Sequence, residues 1–179
     1  WYRLKFEAPT FAEGKRATLI FDGAMSHAHV YVNGEEVGNW PYGYNSFHFD
    51  VTDYLKAGEV NTLAVRLENK PESSRWYPGA GLYRNVHLVV TEDVHIPVWG
   101  TQITTPRVSE KLARVELRTK VEGYDKGDDL YIYTEIFDPN GAVVATAKDG
   151  LSKYETSLFE QTVDVENPLL WSVDTPMLY

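Results

Sequence analysis

The chain has 179 residues, of which 43% are hydrophobic and 24% charged, and its net charge is −9. This length suits one large domain or two smaller ones with separate cores, and no apolar run approaches the roughly 20 residues of a membrane helix. The acidic balance and the scattered lysines and arginines argue against a nucleic-acid partner. The absence of cysteine excludes disulfides and thiolate metal sites.

Short runs with period-two alternation follow one another along the chain, separated by turn residues, and predict strands with almost no helix. The predicted strands are Tyr2–Glu7, Ala17–Asp22, His27–Val32, Ser46–Phe49, Thr62–Leu67, Tyr83–Val90, Thr101–Thr105, Ala113–Glu122, Leu130–Asp138, Val143–Ala147 and Thr156–Val165. Asn33-Gly34 predicts a hairpin turn, because both residues tolerate positive φ. Asp50–Lys56 predicts one short helical turn that Asp50 or Thr52 could cap. We expect an all-β chain of two β-sandwiches.

The best boundary between the two parts lies near Glu92–His95, which gives domains at 1–92 and 93–179. In the first domain the predicted core positions alternate along two strands and are Phe47, Phe49, Val51, Leu63, Val65 and Leu67. Alternation also places His27, His29 and Tyr31 on one sheet face. We interpret that face as half-exposed rather than metal-binding, since no third ligand is near in sequence. It could instead meet a neighbouring domain.

An aromatic and glycine-rich loop precedes the strand Tyr83–Val90 and contains Arg75, Trp76 and Tyr77. Rigid aromatic faces beside flexible glycines suit a loop that binds sugar or contacts another domain. Further aromatic residues lie among loop signals, namely Trp40, Tyr42 and Tyr44. For Arg84, at the start of the strand, we expect a structural role in bonding carbonyls or a carboxylate.

Several short motifs occur in one order along the first domain. They are Phe21-Asp22-Gly23, Tyr31-Val32-Asn33-Gly34, Gly38, Phe47-His48-Phe49-Asp50-Val51-Thr52, Leu55, Gly58-Glu59, Asn61, Leu63-Ala64-Val65 and Gly81-Leu82-Tyr83-Arg84-Asn85-Val86. This set resembles the sugar-binding jelly-roll domain of glycoside hydrolase family 2, the family of β-galactosidases, β-glucuronidases and β-mannosidases. The resemblance covers about residues 1–92, without the earliest strands of the family's domain.

The second domain reads as an immunoglobulin-like sandwich without a disulfide. Ala113–Val121 alternates between inward apolar and outward charged residues, and Leu130–Phe137 is a candidate for a central strand. Val165–Tyr179 resembles a segment of the family's immunoglobulin-like second domain, and we expect Trp171 to plug the open end of the sandwich. Pro168 should end a strand and Pro176 restart one. We expect both domains to be truncated at the chain ends.

The resemblance implies that the chain is the non-catalytic front part of a retaining β-glycosidase. In the family the two catalytic glutamates lie on a (β/α)₈ barrel, for which this chain has no room. Within the chain, Glu35-Glu36 and Asp128-Asp129 are adjacent carboxylates in predicted turns, where they would diverge rather than flank a bond at the required spacing. We therefore expect no catalytic residue, no metal site and no cofactor in these 179 residues.

The position of Arg75 departs from the family pattern. Members with a similar loop carry an aspartate six residues before the glycine that matches Gly81, and this aspartate accepts hydrogen bonds from sugar hydroxyls. The arginine side chain is always positively charged, and it donates hydrogen bonds but cannot accept them. It could hold a sugar hydroxyl, a carboxylate or sulfate of the substrate, or an acidic barrel residue. We assign Arg75, Trp76 and Tyr77 as candidate substrate-binding residues.

The expected partners are an oligosaccharide or β-glycoside and the (β/α)₈ catalytic domain of the same protein, with no nucleic acid and no membrane. A β-galactosidase-like activity on terminal β-linked sugars is the leading hypothesis. A freestanding carbohydrate-binding module with an immunoglobulin-like spacer is the alternative, and a purely structural pair of sandwiches is a third. The sequence is also compatible with a homo-oligomer. For the compartment, we expect the periplasm or the exterior over the cytoplasm.

Overall fold

The computed structural model describes residues 1–11, 14–77, 79–124, 130–150 and 157–179. In these residues the chain forms antiparallel strands, one 3₁₀ turn at Thr52–Tyr54 and irregular loops. The strands belong to two separate units, Trp1–Asp93 and Val94–Tyr179. The all-β fold class is therefore confirmed. None of the described segments forms a helix with the length and apolarity that a membrane crossing requires.

The described strands of the first unit are β1 (Tyr2–Glu7), β2 (Arg16–Phe21), β3 (Ala24–Met25), β4 (Ala28–Val32), β5 (Glu35–Trp40), β6 (Phe47–Asp50), β7 (Val60–Arg66), β8 (Gly81–Leu82) and β9 (Val86–Thr91). One sheet has the order β1-β7-β4-β5, and a second has the order β6-β2-β9. The two-residue strands β3 and β8 pair separately. Sequence periodicity missed both of them, because two residues contain no repeat.

The core of the first unit draws its side chains from both larger sheets. Phe21 on β2 stacks on Phe47 on β6, with ring centroids 4.8 Å apart and an interplanar angle of 8°. Val30 and Val65 contribute from the other sheet and are fully buried. The expected core positions are confirmed: Phe47, Val51, Leu63 and Val65 are buried, and Phe49 and Leu67 pack against them. Apolar burial of this kind is the main favourable term in folding.

The predicted hairpin between β4 and β5 is confirmed at Asn33-Gly34. Both residues have positive φ, 51° for Asn33 and 93° for Gly34, as a tight hairpin turn requires. The Asn33 amide nitrogen donates to the side-chain oxygen of buried Asn61 at 2.8 Å and to the carbonyl of Tyr54 at 2.8 Å. Asn33 therefore both makes the turn and ties it to Tyr54 and to the start of β7.

The helical turn expected over Asp50–Lys56 is a shorter 3₁₀ turn, Thr52–Tyr54. The carboxylate of Asp50 accepts a hydrogen bond from the backbone amide of Thr52 at 2.8 Å. The hydroxyl of Thr52 in turn accepts one from the amide of Ala17 at 2.9 Å, which fixes the turn to β2.

The described strands of the second unit are β10 (Thr101–Val108), β11 (Leu112–Lys120), β12 (Tyr131–Phe137), β13 (Val143–Gly150) and β14 (Leu158–Glu166). One sheet has the order β10-β11-β14, and β12 pairs with β13. The alternation predicted for Ala113–Val121 is confirmed, because its apolar side is buried or half-buried and its charged side is exposed. The buried apolar residues of this unit include Phe159 and Val121, which pack together, and Ala113, Leu117, Val163 and Val165.

Three expectations for the second unit are wrong. Leu130–Phe137 is not a central strand: within the described residues, β12 pairs only with β13 and its side chains alternate between exposed and half-buried. Trp171 does not plug the sandwich that the described residues form, since the residue is 59% exposed. β14 ends before Pro168, as expected, but no strand restarts at Pro176.

Candidate functional site

Two loops of the first unit meet at their aromatic side chains. The first joins β5 to β6 and carries Tyr42 and Tyr44, and the second joins β7 to β8 and carries Trp76. The indole nitrogen of Trp76 donates a hydrogen bond to the hydroxyl of Tyr44 at 3.1 Å, and their ring centroids lie 6.4 Å apart, edge to face. Tyr42 packs against Tyr44 at 5.6 Å. We name Tyr42, Tyr44 and Trp76 the aromatic loop cluster.

The aromatic loop cluster stays open to solvent while its base is fixed. Each of the three residues is about half exposed or more, so part of each ring is accessible to a ligand. The loop that carries the two tyrosines is anchored by Trp40, whose indole nitrogen donates to the side chain of Asn45 at 2.9 Å. Trp40 itself stacks on Phe47 of the core. The loop that carries the two tyrosines is therefore connected to the sandwich through the half-buried ring of Trp40.

Tyr83, which follows β8 at the end of the second loop, contacts the first loop. Its hydroxyl donates to the carbonyl of Gly43 at 2.6 Å. Its ring lies so close to Gly23 that a Cβ there would come within 2.5 Å of the ring. Next to this contact, β3 pairs with β8 through Ala24 and Leu82. Two motifs that are distant in sequence, Phe21-Asp22-Gly23 and Gly81-Leu82-Tyr83, thus pack together and hold both loops.

Arg75 and Tyr77 flank Trp76 and are both exposed, Tyr77 completely. Within the described residues, Arg75 has no hydrogen bond or ion pair, in contrast to Trp76. Residues 69–77 line a cleft of about 570 Å³. The guanidinium of Arg75 is therefore available to an oxygen of a ligand or of another part of the protein. Substrate contact by Arg75, Trp76 and Tyr77 stays a prediction.

The arginine after Tyr83 has a structural contact of a different kind from the one expected. The Arg84 guanidinium carbon lies 5.6 Å from the centroid of the Tyr83 ring, a cation–π contact. The strand expected at Tyr83–Val90 begins only at Val86. Arg84 therefore lies in the connection between β8 and β9.

The predicted histidine face is only partly confirmed. His29 and Tyr31 share the outer face of β4, but His27 precedes the strand and has a φ of 46°. The Nδ1 atom of His29 lies 2.6 Å from a carboxylate oxygen of Glu36. In the described part of the chain, no three histidine or acidic side chains are placed to hold a metal ion.

Glu35 and Glu36 do not lie in a turn, as expected, but begin β5. Their positions pair with Val32 and Tyr31 respectively, and consecutive strand residues point to opposite faces. Their carboxylates therefore diverge because they lie on opposite faces of a strand, and not because they lie in a turn. Asp128 and Asp129 lie outside the described residues.

Comparison with known proteins covers both units. A family model described as "Glycosyl hydrolases family 2, sugar binding domain" matches residues 1–92, and one described as "Glycosyl hydrolases family 2" matches residues 94–179. The chain belongs to glycoside hydrolase family 2. The resemblance inferred from the ordered motifs is thus confirmed.

The relatives within glycoside hydrolase family 2 include enzymes named for two activities. The chain is 40% identical to the β-galactosidase BoGH2A of Bacteroides ovatus and 30% identical to a β-glucuronidase of Formosa agariphila, over its full length in both cases. It spans 22% and 21% of those two proteins. A solved family 2 structure from Bacteroides cellulosilyticus is 33% identical, with a TM-score of 0.90, over 98% of this chain and 23% of that one.

Proposed function

We propose that this chain is a non-catalytic part of a longer retaining β-glycosidase of the β-galactosidase-like type, which hydrolyses terminal β-linked sugars. The two family matches over both units support it, as does the chain's share of about a fifth of its relatives' length. In this proposal a (β/α)₈ catalytic domain of the same protein supplies the acid and nucleophile carboxylates. The first unit supplies one wall of the sugar pocket.

The aromatic loop cluster is the observation that carries the pocket-wall role. Trp76 is held against Tyr44, and the residues on either side of it, Arg75 and Tyr77, are exposed. An aromatic ring offers an apolar face to the C–H side of a pyranose, and a guanidinium donates to its hydroxyl or carboxylate oxygens. We assign Arg75 as the positioning donor and Trp76 and Tyr77 as the stacking residues.

The test is hydrolysis of a panel of nitrophenyl β-glycosides by the full-length protein and its Arg75→Ala and Arg75→Lys variants. Removing a charged hydrogen bond costs about 1.5–3 kcal/mol, so Arg75→Ala should lower kcat/KM by about tenfold or more on the best substrate. Arg75→Lys should recover part of this loss. Arg16→Ala, in the same unit, is the matched control and should change kcat/KM little, because Arg16 lies at the start of β2 and pairs with Asp93 at 2.9 Å, in contact with neither loop.

Two results would contradict the proposal. Equal kcat/KM for wild type and Arg75→Ala would show that Arg75 does not contact the substrate. A full-length protein that hydrolyses none of the glycosides but binds oligosaccharides through Trp76 would instead be the freestanding carbohydrate-binding module.

A further inference from the structure

The dipeptide Ser26-His27 joins the bases of the two loops that carry the aromatic loop cluster. The backbone amide of His27 donates to the carbonyl of Pro41 at 3.1 Å, and Pro41 is the first residue of the loop after β5. The carbonyl of Ser26 accepts from the amide of Glu68 at 2.8 Å. Glu68 lies near the start of the other loop, directly before residues 69–77, which line its cleft. Both loops therefore begin beside Ser26-His27.

The hydrogen bonds of the Ser26 hydroxyl determine which nitrogen of the His27 ring carries a hydrogen. The hydroxyl oxygen lies 2.9 Å from the carbonyl oxygen of Glu68 and 3.1 Å from Nδ1 of His27. A hydroxyl has one hydrogen to donate, and a carbonyl oxygen can only accept. The hydroxyl therefore donates to Glu68, and Nδ1 of His27 donates to the hydroxyl. In the neutral imidazole the other nitrogen, Nε2, is then an acceptor.

The Nε2 atom of His27 is an acceptor without a hydrogen-bond partner in the described part of the chain. The His27 residue is half-buried, and Ser26, which holds its Nδ1 atom, is buried. Because the ring is already held by this contact, it loses little further freedom when Nε2 accepts a hydrogen bond from a ligand. The ring is thus a preorganised acceptor at the base of both loops.

Such an acceptor complements the side chains that the loops present. The guanidinium of Arg75 and the indole nitrogen of Trp76 can only donate, and the indole already donates to Tyr44. A sugar hydroxyl both donates and accepts, so a site that binds several hydroxyls needs acceptors as well as donors. The imidazole of His27 supplies an acceptor that Arg75 and the indole lack.

We propose that His27 is a further substrate-binding residue of the pocket wall, and that its Nε2 atom accepts a hydrogen bond from one hydroxyl of the bound sugar. This role presupposes the proposed glycosidase function. It separates His27 from His29, which lies on the outer face of β4 and is paired with Glu36 at 2.6 Å. The positive φ of His27, 46°, places it outside the regular alternation of that strand.

The experiment compares wild type with His27→Asn in the full-length protein, on its best nitrophenyl β-glycoside and on analogues that each lack one hydroxyl. Asparagine accepts positive φ more readily than most residues, and its amide nitrogen can replace Nδ1 as the donor to Ser26. The substitution therefore removes Nε2 and keeps the brace between the loops. We expect kcat/KM on the complete substrate to fall about three- to tenfold, the usual effect of losing one neutral hydrogen bond.

One analogue should abolish this difference. On the glycoside that lacks the hydroxyl bound by His27, wild type and His27→Asn should have equal kcat/KM, whereas the other analogues should preserve the difference. The thermal midpoint of His27→Asn should equal that of wild type. His29→Asn is the matched control and should leave both quantities unchanged.

The possible results separate the role of His27 from the proposed function. Equal kcat/KM for wild type and His27→Asn, beside a loss for Arg75→Ala, would overturn the role of His27 and leave the pocket wall intact. A loss of the same size on every analogue would show that the substitution disturbs the loops rather than one contact, and would also overturn it. A full-length protein that hydrolyses none of the glycosides would overturn the proposed function and the role of His27 together.

Discussion

The indole nitrogen of Trp76 donates to the hydroxyl of Tyr44 across 3.1 Å, although 32 residues separate them in sequence. This hydrogen bond joins the two loops of the aromatic loop cluster. Arg75 precedes Trp76 and has no partner of its own within the described residues. The position of its guanidinium in this chain therefore depends on the contact that its neighbour makes with Tyr44.

Loss of the Tyr44 hydroxyl should loosen the second loop. We expect Tyr44→Phe to lower kcat/KM of the full-length protein about three- to tenfold, since a net hydrogen bond contributes about 0.5–1.5 kcal/mol. The thermal midpoint should barely change, because the bond is exposed. Tyr42→Phe is the matched control, since its hydroxyl makes no hydrogen bond in the described part of the chain. Equal losses for the two variants would contradict the role of the Trp76 contact.

A side chain at position 23 should destabilise the first unit. A Cβ at Gly23 would lie 2.5 Å from the Tyr83 ring, and overpacking of this kind costs about 1–3 kcal/mol. We expect Gly23→Ala to lower the free energy of unfolding by that amount in urea, followed by tryptophan fluorescence. Gly79→Ala should be neutral, because nothing lies within 4 Å of its Cβ position. A neutral Gly23→Ala would mean that the Tyr83 ring moves aside freely.

Buried Asn61 supports the turns on either side of it. Its amide donates to the carbonyls of Lys56 and Glu59, each at 2.8 Å, and its oxygen accepts from Asn33 and the Lys56 amide. We expect Asn61→Ala to lower the free energy of unfolding by about 3 kcal/mol, because it leaves several polar groups unpaired. Exposed Asn39→Ala serves as the control. A loss for Asn61→Ala no larger than the control's would show that water replaces these bonds.

The turn between β12 and β13 should give stability that depends on pH. The carboxylate of Asp138 accepts hydrogen bonds from the amides of Ala142, at 2.8 Å, and Asn140, at 2.9 Å, and these bonds lower its pKa. A lowered pKa stabilises the folded state above the unfolded value of about 3.9. That stability is lost as pH falls through the folded pKa.

At pH 6 the wild-type protein should therefore have a higher thermal midpoint than Asp138→Asn, and this difference should shrink below about pH 4. Thermal midpoints measured from pH 3 to pH 7 would show this. A gap that is constant over the whole range would contradict the effect on the pKa. Asp149→Asn, a change on the neighbouring strand β13, is the reference.

Alternation predicted several strands well. β1 matches its prediction at both ends, although Phe6 alone on it is half-buried and the rest is exposed, and β11 buries the residues that its pattern indicated. The Asn33-Gly34 turn was predictable because its conformation depends on two local residues. Family membership was predictable from the order of short motifs, most of which now have a structural reason, such as the packing of Gly23 on Tyr83.

The remaining features depend on contacts between distant residues. The pairing of β3 with β8 and the bond from Trp76 to Tyr44 join segments whose separation no local pattern fixes. β12 looked central because its residues are strand formers, yet position in a sheet depends on which partners are available. The sequence signal for the site was the density of aromatic residues in two loops, and it did not show that the loops touch.

The most direct test of the proposed pocket wall is a crystal structure of the full-length protein with a non-hydrolysed substrate analogue bound at the catalytic carboxylates. The account predicts a guanidinium nitrogen of Arg75 within about 3.2 Å of a ligand oxygen, with the Trp76 or Tyr77 ring against the sugar. A bound sugar with all three side chains beyond contact distance would contradict it.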